Sequence, residues 1–77
     1  MNKEKRTRLK NANSMLYQAL MLVESVRDDE QDCFSNLPES LQESESGRFM
    51  EDAIEALDDA ISSINEASGF IDDACGG

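Results

Sequence analysis

Apolar residues recur along this chain at seven-residue intervals in two separate stretches. Residues 50–74, MEDAIEALDDAISSINEASGFIDDA, align as MEDAIEA, LDDAISS, INEASGF and IDDA. Met50, Leu57, Ile64 and Ile71 fall in one column, Ala53, Ala60, Ala67 and Ala74 in a second, with acidic pairs between them. From Leu9 the text LKNANSM, LYQALML, VESVRDD, EQDCFSN repeats the pattern. Leu9, Leu16 and Val23 share one column there, and Ala12, Ala19, Val26 and Cys33 another. A period of 3.5 over three or four heptads predicts two long helices packed along a seam, spanning about residues 3–33 and 46–74. At 1.5 Å rise per residue each is about 45 Å long.

The stretch between them, SNLPESLQESESG, holds the one proline. Pro38 cannot continue the first helix, and Asn36 is suited to a left-handed helix stop. Ser40 with Glu43, or Ser44 with Ser46, offers a cap for the start of the next helical segment. Leu37 and Leu41 are expected to plug the closed end. Two helices of equal length joined by a turn at about residues 34–45 predict an all-α fold: an antiparallel two-helix hairpin, coiled-coil-like, forming one domain over residues 1–77. The alanine columns are expected to face each other, since small residues let two backbones approach to the short end of the usual spacing of about 8–10 Å.

The apolar surface is wider than two helices can cover. Tyr17, Leu20, Met21 and Leu22 on the first helix, and Ile54 and Ile61 on the second, are therefore expected to contact another copy or a partner. A chain of 77 residues rarely buries enough apolar surface alone, and a four-helix bundle or higher homo-oligomer would supply the difference. Other staples are scarce. With two cysteines and no histidine, a Cys/His zinc site cannot form within one chain. Cys33 and Cys75 fall toward opposite ends of the expected hairpin, so no intrachain disulfide is expected, and both read as reduced cytoplasmic thiols. Gly69 interrupts the second helix at a cost of about 1 kcal/mol relative to alanine, marking a bend or a close contact beside Phe70. Gly76-Gly77 reads as a helix stop.

Charge divides the chain further. Residues 1–10 carry five cations against Glu4, whereas residues 11–77 carry two arginines against sixteen acids, giving the net −10. The acidic body repels nucleic acid and anionic membranes, which makes direct nucleic-acid binding unfavourable outside the basic arm. MLYQALMLV after that arm is too short for a membrane span, is broken by Gln18, and lacks a cleavage site, so a cytoplasmic protein is expected.

Catalytic chemistry finds no footing. A di-metal bundle site needs Glu-x-x-His and a calcium loop needs D-x-D-x-D-G; neither motif occurs. The cysteines lack a histidine or cationic partner in sequence, and no cofactor or enzymatic activity is expected. There remains an acidic stripe: Glu51, Asp52, Asp58, Asp59, Glu66, Asp72 and Asp73, pointing away from the seam. With Glu55, the second helix displays one charge per about 4–5 Å, against one per about 1.7 Å in duplex DNA. Such a face suits a basic partner. Arg6, Arg8, Arg27 and Arg48 are candidate anion contacts, since in an oligomer they can converge on a phosphate-bearing ligand.

Three motifs in residues 28–64 stand out: Asn36-Leu37-Pro38-Glu39, Leu41-Gln42-Glu43-Ser44-Glu45 and Met50-Glu51-Asp52-Ala53-Ile54, placed after the acidic end of helix 1. This half of the chain resembles small acidic helical-hairpin accessory proteins of phages, prophages and bacterial mobile elements, largely of unknown function. Residues 1–14 and 65–77 lie outside the likeness. The resemblance implies a non-enzymatic protein that binds and inhibits or modulates a host protein, such as a defence or nucleic-acid-handling enzyme. Two alternatives stay open: a sponge for an anionic nucleotide signal, held by the arginines, and nucleic-acid binding by the basic arm.

Overall fold

The computed structural model describes residues 1–76. They form three helices, α1 (Lys3–Ser35), α2 (Glu39–Gln42) and α3 (Glu45–Ala74), and no strand occurs among them. The two long helices end within two residues of the expected limits. The expected turn instead contains a helical turn of its own, α2, whose N-cap is Pro38.

Local chemistry explains each boundary. Asn2 caps α1, its side-chain oxygen accepting the Lys5 N–H at 2.8 Å. Asn36 ends α1 in right-handed geometry, φ −85° and ψ −6°, not in the left-handed conformation expected of it. A left-handed stop is unnecessary because Gln42 reaches back, donating from Nε2 to the carbonyls of Phe34 and Leu37 at 3.1 Å each. The Phe34 carbonyl belongs to the last turn of α1, where a helix leaves its carbonyls without intrahelical partners, and that of Leu37 to the link before α2. Ser44 caps α3 and accepts the Gly47 N–H at 3.3 Å. Gly76, at φ +84°, takes the left-handed position just past the end of α3, where only glycine enters without strain. Gly77, the second residue of that terminal pair, lies outside the described residues.

Gly47 governs the corner. A Cβ there would press into the Gln42 carbonyl oxygen and lie 2.6 Å from that of Leu41. The first turn of α3 thus rides directly on the backbone of α2. Leu37 is half-buried at this end; Leu41, expected to plug it, is exposed.

Beyond the corner α3 returns alongside α1. Asn13, near the start of α1, bonds Asp72 near the end of α3, and Arg27 bonds Asp58. The result is a rod of 58 × 15 × 15 Å with a radius of gyration of 17.3 Å, where a compact chain of this length has about 11–12 Å.

The seam differs from the expected one. Leu9, Leu16 and Val23 do turn inward, as do Met50, Leu57, Ile64 and Ile71, all half-buried. The second column of the seam is not the alanine column. On α1 it is Asn13, Leu20, Arg27 and Phe34; on α3 it is Gly47, Ile54, Ile61, Ser68 and Cys75. Ala19, Ala53 and Ala74 are exposed, and Ala12, Ala60 and Ala67 are half-buried beside the seam. Choosing the neighbouring column rolls each helix by about 50°. The roll puts Ile54, Ile61 and Leu20 inside in place of alanines, and each branched side chain removes about 1.5–3 kcal/mol worth of apolar surface from water when fully covered. Alanine has too little surface to compete.

Candidate functional site

Leu20, Ile54 and Ile61, expected on an outer contact surface, are therefore inside the helix pair. Ile54 is 9% exposed, the one buried hydrophobic side chain among the described residues. Tyr17, Met21 and Leu22 do stand outside, but apart from one another. The helical period puts Tyr17 and Met21 on one flank of α1 and Leu22 on the other. Phe34, not among the residues that the sequence pattern singled out, fills the seam near the corner. Its place two heptads beyond Leu20, in the same column, was the available signal.

The seam carries its charged and amide side chains on the α1 side. Arg27 donates from NH1 to Asp58 at 2.6 Å and from Nε to Asp28 at 2.8 Å, its side chain 29% exposed. Hydrogen bonds to Asp58 first and Asp28 second raise its pKa above the ordinary arginine value, so it stays a cation. Asn13 donates from Nδ2 to Asp72 at 2.9 Å, while its buried Oδ1 has no protein partner among the described residues. Polar residues at seam positions select register at some cost in stability.

These bonds divide the expected acidic face. Asp58 and Asp72 are exposed yet turned to α1, one holding Arg27 and the other Asn13. Asp52, Asp59, Glu66 and Asp73 occupy the heptad column opposite the seam and are exposed; Glu51 stands beside them. Glu45 heads the same column, extending the ridge by two turns. Among the described residues, ion pairs join only Glu4, Asp28 and Asp58 to cations. The ridge acids have no such neutralisation.

Folding also sorts charge by end. Residues 21–64, which make the corner half of the rod, hold thirteen acids and two cations, Arg27 and Arg48. The remaining residues hold five cations and four acids. The basic start of α1 lies beside the acidic end of α3, since Asn13 meets Asp72. The corner half has no such compensation and carries the field.

The candidate anion contacts do not converge within one chain. Arg27 is engaged by two carboxylates. Arg48 lies ten residues along α3 from Asp58, the partner of Arg27, which is about 15 Å of helix. Arg8 faces Glu4 at 3.8 Å, and with Met1, Lys5 and Leu9 it lines an open hollow at the far end; Arg6 is not part of it. No group of three or more Cys, Asp or Glu side chains placed to hold a metal occurs among the described residues. Cys33 is exposed, Cys75 half-buried, and both are free thiols. No helix among the described residues is long and apolar enough to cross a membrane. No protein-family model matches the chain, and neither a curated protein nor a solved structure does.

Proposed function

We propose that this chain is a non-enzymatic binding protein: an antiparallel helical hairpin, self-associated, whose acidic ridge docks on a basic partner. The partner class that fits is a nucleic-acid-handling protein, with a host defence enzyme as the biological instance and the host cytoplasm as the place of action. This accords with the phage-type accessory character implied by residues 28–64. The observation that carries the proposal is the ridge Asp52, Asp59, Glu66, Asp73, exposed at every seventh position and without ion pairs. A regular line of uncompensated charge on a stiff rod presents a partner's cationic groove with a surface that requires no rearrangement on docking.

The reading is tested by affinity capture from host lysate with the intact chain, beside a variant with Asp52→Asn, Asp59→Asn, Glu66→Gln and Asp73→Asn. The expected partner binds the intact chain at low salt, is released by high salt or added duplex DNA, and is absent from the variant. A partner retained equally by the variant would remove the ridge from the interaction.

A further inference from the structure

We infer that the uncharged broad side of the rod is the interface for a second copy of this chain, with α1 of one copy lying over α3 of the other. The inference rests on the self-association proposed above and identifies its surface.

A single copy is short of a core. No side chain among the described residues is fully buried, and the accessible surface is 5674 Å². A compact monomer of 8.6 kDa exposes about 4,700 Å². The excess, about 1,000 Å² per chain, matches the roughly 800 Å² that each partner buries in an interface of standard size.

Of the large exposed apolar side chains on the flanks of the two long helices, five (Met15, Leu22, Val26, Phe49 and Phe70) lie on one broad side and two, Tyr17 and Met21, on the other. Asn13 and Arg27 reach Asp72 and Asp58 across one edge of the seam, so the acidic flank of α3 and the flank of α1 bearing Tyr17 and Met21 share that broad side. The opposite flanks share the other. On α1 that flank presents Met15, Leu22 and Val26, exposed at 69%, 70% and 53%, at intervals of seven and four. On α3 it presents Ala56, Ala60, Ser63 and Ala67, bounded by Phe49 and Phe70 at 65% and 63% exposure. From Phe49 to Phe70 this flank of α3 contains no charged residue, and on α1 none occurs from Ala12 to Val26; Asp29 closes the stripe.

Charge and shape together select the occupant. Two copies of net charge −10 repel wherever their acidic surfaces meet, and this side is where they can touch without opposing like charges. Bulky residues on α1 stand beside small ones on α3, a ridge next to a groove. A two-fold axis along the rod lays each ridge in the other copy's groove. The register set by the Asn13–Asp72 and Arg27–Asp58 contacts then brings Leu22 level with Ser63 of the second copy. Stacking α1 on α1 would oppose bulk to bulk and leave the alanines facing alanines. Such a self-complementary contact closes at two copies.

Sedimentation and light scattering of the full chain test this, with helicity followed in parallel. The intact chain is expected at twice the 8.6 kDa chain mass. Leu22→Lys and Ser63→Glu each place an unpaired charge in the contact and should weaken the dimer by more than about a hundredfold. An equimolar mixture of the two should recover the dimer, because Lys on α1 of one copy then meets Glu on α3 of the other. Should either variant lose helicity alone, recovery of helicity on mixing reports the same pairing. Tyr17→Lys, on the opposite side, should leave the mass unchanged. A one-chain mass for the intact protein overturns both the interface and self-association. A dimer unmoved by Leu22→Lys and Ser63→Glu, or broken by Tyr17→Lys, overturns the interface alone. Two disrupted variants that fail to rescue each other overturn the placement of α1 over α3.

Discussion

The two long helices are of similar length and period but bring different material to their shared seam. On α3 the inward positions are Met50, Ile54, Leu57, Ile61, Ile64 and Ile71, with Gly47, Ser68 and Cys75 filling small spaces. On α1 the inward run is interrupted by Asn13, Arg27 and the half-buried Glu30. The apolar side supplies cohesion, which is non-directional. The polar side supplies direction and register, because Asn13 and Arg27 have geometrically fixed partners on α3. A thin rod needs both, since a uniform apolar seam of constant period tolerates slippage by whole heptads.

Substitutions on each helix test this division, in descending order of effect. Ile54→Ala strikes the cohesive side at its one buried side chain. It is expected to cost about 2–3 kcal/mol in a denaturant melt, the low end for such truncations because a two-helix rod closes part of the cavity. Gly47→Ala drives a methyl into the Gln42 and Leu41 carbonyls. A loss of about 1–3 kcal/mol is expected from overpacking against backbone that cannot rotate away. A melt indistinguishable from the parent would mean that the corner is looser than its geometry implies.

Gly69→Ala reverses the sign. Helix α3 is unbroken at Gly69, and a Cβ there meets nothing within 4 Å, so the expected close contact is not made among the described residues. Alanine should stabilise by about 1 kcal/mol, read as a higher melting temperature. The smallest effect on stability belongs to the directional side. Arg27→Met replaces a paired cation by an apolar chain of similar reach and should barely move the melt. It should instead admit a second register, visible as doubled amide resonances for residues near Asp58; a single set of peaks would show that Arg27 does not specify register.

Much of this architecture was legible in the letters. Two heptad-patterned stretches separated by Pro38 announced two helices and their limits, because helix period and proline geometry are local properties. The inward Leu/Met/Ile columns were legible for the same reason. The partner of those columns was not. Columns three and four residues away from an inward position flank it almost equally, and on α3 one holds Ala53 and Ala60 while the other holds Ile54 and Ile61. The alanine repeat was the more regular to the eye, but area decides burial. The same choice moved Leu20, Ile54 and Ile61 from the outside to the inside and left the alanines as part of an uncovered flank. Asp58 and Asp72 were legible as acids on the far side of the repeat; that each would hold a seam residue of α1 depended on register.

The letters alone dictate an all-helical chain, its two long segments, and the excess of acids over cations. Those depend on interactions between residues a few positions apart and on a count of charges. Packing of the helices against each other sets which column of each heptad faces the other helix, where Arg27 is held, and that the corner half of the rod carries nearly all the net charge. Each of these depends on how far the helices roll and slide against one another. That is set by the competition between burying branched side chains and satisfying Asn13 and Arg27, a balance between residues 31 and 59 positions apart.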